Sequence, residues 1–172
     1  TTDKFVLFWN GIYSNWEPSP FVWNGIEFNC GEQYMMYHKA EMFDDQEVSM
    51  MIMKTDDPGT QKKLGRTVRG FDQAKWEEKC IDIMVEGLLC KFNQNPKMKE
   101  ELLATGDRII AEASPVDKVW GIGLAEDDPK CLDVNTWNGK NFLGVVLMKV
   151  RDQLNIGVRY IEDIKQQLKE KK

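Results

Sequence analysis

The sequence predicts an α+β fold: a single compact domain, mostly α-helical, with a small antiparallel β-sheet. Three observations carry that expectation. The β-favouring stretches are short, and most lie before residue 30. After residue 31, apolar residues recur at helical spacing in segment after segment. The chain has 172 residues and a mass of 20.0 kDa, enough for one domain to bury a core without staples.

The elements follow in order. The apolar run Phe5-Val6-Leu7-Phe8-Trp9 reads as a strand, turned by Asn10-Gly11. Ser14 to Pro20 reads as a loop by its Ser and Pro content. Asn24-Gly25 sits between the triplets Phe21-Val22-Trp23 and Ile26-Glu27-Phe28. That pattern specifies a two-residue hairpin, because both turn positions need positive φ. Helices are expected over 31–43, 46–54 and, opened by Asp57-Pro58, to about residue 64. The longest spans 72–93, with Ile81, Met84, Leu88 and Phe92 on one face. Pro96 opens another, which ends at Thr105-Gly106. Residues 109–112 form a short strand, and 114–139 a long ordered loop held by Trp120, Ile122, Leu124 and Trp137. A last core helix covers 141–154, with Leu143, Val146, Leu147, Val150 and Leu154 inward. Gly157 is expected to break it. The domain then covers 1–155, and 156–172 is an amphipathic helical tail with Ile161, Ile164 and Leu168 on one face.

Composition narrows the function. Apolar residues at 42% and charged residues at 30% argue against wholesale disorder. A net charge of −5 argues against coating a polyanion. No apolar run is long enough to span a membrane, and the first residues lack the features of a signal peptide, so a cytoplasmic protein without membrane partners is expected. The four cysteines Cys30, Cys80, Cys90 and Cys131 have no CxxC spacing, and His38 is the only histidine. Free thiols are expected, with neither a zinc site nor a histidine-based triad. No metal or cofactor is called for, and the chemistry falls to carboxylates, lysines, arginines and tyrosines.

A charged pair then stands out. On a helical wheel at roughly 100° per residue, Met35, Met36, Ala40, Met42 and Phe43 fall within about 80° of Glu32. Lys39 falls about 20° from it, two turns on. Both charges thus sit at the centre of the face that should be buried, whereas Gln33, Tyr34, Tyr37, His38 and Glu41 lie outside that arc. Burying a charge is costly unless it is paired or faces a wet cleft. Either the two form a buried ion pair, or this face lines a pocket in which Glu32 is an acid/base group and Lys39 tunes it or holds an anion.

Two further segments qualify. Asp117-Lys118-Val119-Trp120-Gly121-Ile122-Gly123 places a carboxylate, an indole and two glycines together. Gly121 and Gly123 would let the backbone approach a ligand and Trp120 would stack on a base, or the segment is a tight turn around a core Trp. Residues 58–79 carry six cations, Lys62, Lys63, Arg66, Arg69, Lys75 and Lys79, against Asp72, Glu77 and Glu78. That surplus suits phosphate, although such a run is more often a solvated helix face. His38 reads as surface, and the nine methionines as core filler.

These residues resemble a known family. Phe8, Ser14-Asn15-Trp16 and Pro20-Phe21, then Gly31-Glu32-Gln33-Tyr34 with Lys39-Ala40, are similar to the start of the NADAR domain, the YbiA-like N-glycosidases. Lys63-Leu64-Gly65-Arg66, Trp76, Lys91-Phe92, Leu102 to Gly106 and Glu112-Ala113-Ser114 follow in the family's order. So do Asp117 with Trp120-Gly121-Ile122-Gly123, and Trp137-Asn138-Gly139-Lys140-Asn141. The resemblance spans residues 5–154 and departs at Trp16, where the family usually has Phe, and at Gln33, where it commonly has His. It implies hydrolysis of a bond between ribose and a base or amine. The implied substrates are ADP-ribosylated guanine, other ADP-ribose or NAD-derived nucleotides, and ribosylamino-pyrimidine phosphates of riboflavin synthesis.

Such cleavage develops oxocarbenium character at the anomeric carbon. Glu32 is expected to handle the water or the cation, and Asp117 the ribose hydroxyls or the leaving group. Lys39 would lower the pKa of Glu32 and keep it ionised. Together these three form the expected catalytic set. Asn15, Trp16, Lys63, Arg66, Trp120, Gly121, Gly123 and Asn141 form the expected substrate-binding set. A non-catalytic sensor of NAD-derived nucleotides is the rival reading. ADP-ribosylated nucleic acid is an alternative partner to a small-molecule nucleotide, and the net charge weighs against it.

Overall fold

The computed structural model describes residues 1–171. It begins with β1 (Phe5–Phe8), the hairpin strands β2 (Phe21–Trp23) and β3 (Ile26–Phe28), and the helices α1 (Gly31–Met42), α2 (Gln46–Met53) and α3 (Pro58–Gly65). The long α4 (Gln73–Gln94), α5 (Pro96–Ala104) and β4 (Ile109–Glu112) follow. Two 3-10 turns (Pro129–Leu132, Val134–Thr136) lead to α6 (Phe142–Glu170).

Short-range chemistry accounts for most of these boundaries. Asn24 and Gly25 both have positive φ in the antiparallel β2–β3 hairpin. The carboxylates of Asp45, Asp57 and Asp72 accept from backbone N–H groups in the first turns of α2, α3 and α4. Pro58 and Pro96 open α3 and α5. A second pair of strands, β1 with β4, is parallel, in the register Phe5↔Ile109 to Phe8↔Glu112. Its partners lie about a hundred residues apart, so no local pattern announces it.

Helix α1 runs through the middle and packs on α2, α3 and α4. It is buried on more sides than its wheel suggests. Tyr34, outside the apolar arc, is fully enclosed and donates its hydroxyl to the Ile83 carbonyl at 2.9 Å. Its ring lies where a side chain on Gly87 would stand, so that glycine lets α1 and α4 approach closely. Gln33 is also buried; its amide donates to the Ile52 and Thr55 carbonyls, and its oxygen accepts from Asn29 N–H. His38 is not a surface residue as expected. Its half-buried ring packs against Tyr34 and Trp23, and Nδ1 lies 2.9 Å from the Tyr34 carbonyl. The hairpin covers the side of α1 that a one-sided wheel assigns to solvent.

Helix α6 covers β4 and α4 with Leu143, Val146, Leu147, Val150 and Leu154. It does not stop at Gly157. That glycine is exposed with nothing near it, and its cost of about 1 kcal/mol does not break a helix of this length. The helix therefore passes residue 155 without a break. Beyond it Tyr160, Ile161, Ile164 and Leu168 are exposed. Among the described residues no helix is long and apolar enough to cross a membrane.

Candidate active site

A cavity of about 460 Å³ opens between α1, α3, the start of α4, β4 and the loops after β1 and β4. Glu32, Met35, Met36 and Lys39 reach it from α1, Lys62 from α3 and Arg66 from its C-cap, and Trp76, Glu77 and Cys80 from α4. Asn15 and Trp16 come from the loop after β1, Glu112 from the end of β4, and Asp117, Lys118 and Trp120 from the loop beyond it. Phe71 and Gln73 complete the wall.

Glu32 lies in the first turn of α1, where the helix dipole favours a carboxylate, and its N–H donates to the Asn15 carbonyl at 2.8 Å. It is only 4% exposed. Burial pushes its pKa up to about 7; Lys62 opposes the rise, Glu112 and Asp117 add to it, and Lys39 opposes it least. Lys39 thus lowers the Glu32 pKa in the expected direction, but by less than burial raises it. No ion pair joins it to Glu32 among the described residues, and its Nζ lies 4.2 Å from the Phe71 ring centroid. Desolvation of the carboxyl outweighs that cation.

Glu112 is a second carboxyl in the same cavity. Burial, then Asp117, pushes it up to about 7, while Lys62 opposes. Its Oε2 is buried without a partner, as is Oδ1 of Asn15. Asp117 is more tightly committed: Oδ1 accepts from Val119 N–H at 2.9 Å and Trp120 N–H at 2.8 Å, closing the turn that presents the indole. Trp120 meets Phe142 edge-on, with centroids 5.8 Å apart.

The structure thus gathers Glu32, Lys39, Asp117, Asn15, Trp16, Arg66 and Trp120 around one space. Lys63, Gly121, Gly123 and Asn141 do not line it. The half-buried Lys62 of α3 and the exposed Arg66 at its C-cap line the cavity, whereas the exposed Lys63 does not. Gly121 is packing: a side chain there would meet the Asp117 and Glu112 carbonyls. Gly123, at positive φ, abuts Asn138 and Lys118. The buried Asn141 braces β4, accepting from Glu112 N–H at 3.1 Å and donating to the Ile110 carbonyl at 3.0 Å.

The expected site residues omitted Lys62, Trp76 and Glu112, although Lys62 stood in the cationic run and Trp76 and Glu112 in the family pattern. Lys62 had a signal, since it stands four residues before Arg66 and so shares its face of α3. Glu112 had only its place in the family pattern, because a strand end gains its position from the parallel partner.

The chain is an α+β domain whose cavity joins aromatic walls, a cationic lip and buried carboxyls. The chain belongs to the NADAR domain family, whose model matches residues 7–155. It is 43% identical over 165 residues to N-glycosidase R617 of Acanthamoeba polyphaga mimivirus, covering 88% of this chain and 97% of that protein. It is 37% identical over 187 residues to Protein irg-1 of Caenorhabditis elegans, covering 98% and 88%. The NMR structure of the E. coli protein YbiA superposes with a TM-score of 0.74 at 26% identity, covering 91% of this chain and 88% of that one.

Proposed function

We propose that the protein is an N-glycosidase, a hydrolase acting on the bond between a ribose and a base or amine nitrogen. The substrate class we assign is a nucleotide of the ADP-ribose type, with ADP-ribosylated guanine foremost. The observation that carries this reading is Glu32: a carboxyl 4% exposed, joined in no ion pair among the described residues, facing a cavity. A binding module for an anionic ligand has little use for such a group, whereas a glycosidic reaction needs one beside the anomeric carbon.

The rest of the cavity suits the substrate. About 460 Å³ lies in the range of small-molecule sites. Trp16, Trp76 and Trp120 offer faces for a base, and Lys39, Lys62 and Arg66 offer charge to phosphates. Glu32 accepts the proton of the attacking water, or faces the cation as it forms. Asp117, with one oxygen committed to the turn, offers the other to the ribose hydroxyls.

The test is a hydrolysis panel read by mass spectrometry with wild type and Glu32→Gln. The panel holds ADP-ribosylated guanine in DNA, the free ADP-ribosyl-guanine nucleoside, NAD and a ribosylamino-pyrimidine phosphate. Release of base or ADP-ribose by wild type is expected, with a loss of at least ~100-fold in Glu32→Gln. Near-wild-type turnover by the variant removes Glu32 from the mechanism. Tight binding without turnover by wild type replaces the enzyme by a sensor of NAD-derived nucleotides.

A further inference from the structure

Glu112 has no assigned task, and its surroundings suggest one. Its Oε2 is buried without a hydrogen-bond partner, and so is Oδ1 of Asn15 in the same cavity. A buried acceptor left without a donor is costly, so the unpaired Glu112 oxygen beside this cavity is suited to a donor that arrives with a ligand. The backbone of Glu112 is held from both sides. Its N–H donates to Asn141 Oδ1 at 3.1 Å, and its carbonyl accepts from Ile122 N–H at 2.9 Å. The side chain therefore projects from a fixed strand end, while Glu32 projects from the start of α1 into the same space.

We propose that Glu112 is the general acid of the reaction: it gives its proton to the departing nitrogen while Glu32 takes the proton of the attacking water. This rests on the N-glycosidase reading of the same cavity. The water oxygen bonds to the anomeric carbon as the carbon–nitrogen bond breaks. The electron pair of that bond goes to nitrogen, which collects the Glu112 proton. The products are the free amine, guanosine in the case of ADP-ribosyl-guanosine, and ADP-ribose with a new hydroxyl at its anomeric carbon, and proton exchange with solvent resets the two carboxyls. The division of labour follows from surroundings. Glu32 has a helix N-terminus and two lysines that favour its anion. Glu112 sits at a strand end, with Asp117 favouring its proton and Lys62 alone opposing. Two carboxyls facing one cavity share a proton more readily than both ionise.

An acid is needed only when the leaving group is poor, and that gives the test. Two substrates with the same glycone are compared: ADP-ribosyl-guanosine, whose amine must be protonated, and a nitrophenyl glycoside of ADP-ribose, whose phenolate departs unaided. Glu112→Gln should lose ~100-fold or more in kcat/KM on the guanosine substrate, the scale of general-acid assistance, and stay within a few-fold of wild type on the nitrophenyl glycoside. Glu32→Gln should lose on both. Parallel losses by Glu112→Gln on both substrates, in a protein that melts as wild type does, overturn the assignment, and so does no loss on either. If Glu112→Gln melts lower than wild type, Glu112→Asp carries the same comparison, since it keeps an acid and should recover part of the guanosine activity. Wild type that binds ADP-ribose but hydrolyses neither substrate sinks the N-glycosidase reading itself, and the role of Glu112 with it.

Discussion

Lys91 Nζ donates to the Ile12 carbonyl at 2.8 Å, across 79 positions of chain, and to the Ser14 carbonyl at 3.3 Å. The side chain is fully buried in α4, and burial lowers its pKa to about 8. Such a cation is tolerated only because it satisfies carbonyls that would otherwise be orphaned. The segment it pins leads into Asn15 and Trp16, at the cavity. Lys91→Met fills the same space but strands both carbonyls. It should cost about 1–3 kcal/mol in denaturant unfolding. It should also weaken ADP-ribose binding in titration calorimetry, because Asn15 and Trp16 lose their anchor. Unchanged stability would mean that water replaces the ammonium.

The raised pKa of Glu32 makes stability depend on pH. A carboxyl that titrates near 7 when folded, against its ordinary 4.5, binds more protons in the native state between those values. Stability should therefore be full below about pH 4.5 and decline as pH rises through 7. Glu32→Gln abolishes this term. It should be more stable than wild type at pH 8, by on the order of 3 kcal/mol at most, and the gap should close at pH 4.5. Urea titrations of both proteins at the two pH values decide it. A gap that is equal at both would show that the Glu32 pKa is the same folded and unfolded.

The sequence made much of this legible, for reasons that differ by element. Asn24-Gly25, Asp57-Pro58 and Pro96 act on their own neighbours, so the hairpin and the helix starts are written locally. Glu32 and Lys39 were visible because charge on an apolar face breaks a period. The parallel β1–β4 pair, the burial of His38 and the placement of Glu112 depend on residues far away in sequence, and no local period encodes them. Gly121, Gly123 and Asn141 show the converse. Glycine for ligand approach and glycine for packing look alike in a sequence, and only the atoms around Gly121 separate them.

The cationic lip can be resolved residue by residue. Lys62 on α3 and Arg66 at its C-cap line the cavity, whereas Lys63 does not. Lys62→Gln and Arg66→Gln should each weaken ADP-ribose binding about tenfold, as expected for a charge-assisted contact to phosphate. Lys63→Gln should weaken it less than either. Adding salt should reduce wild-type affinity more than that of the double variant, since the lost attraction is the screened part. Equal losses for Lys62→Gln and Lys63→Gln would indicate a diffuse field instead of a directed contact.

Asn141 joins the last helix to β4. Its side chain takes Glu112 N–H and gives to the Ile110 carbonyl, while its own backbone sits at φ +55° immediately before α6. Few residues tolerate that backbone, and fewer offer an acceptor and a donor in that spacing. Asn141→Ala strands a buried N–H and a buried carbonyl and strains the left-handed turn. Asn141→Gly relieves the turn but strands the same two groups. The two variants should therefore lose stability by different amounts, alanine the more. Both should lose turnover to a similar extent, because each frees the strand end that aims Glu112. Thermal melts and kcat/KM on the same preparations separate the two effects. Turnover that tracks stability across the pair, instead of being equal, would make Asn141 a part of the scaffold alone.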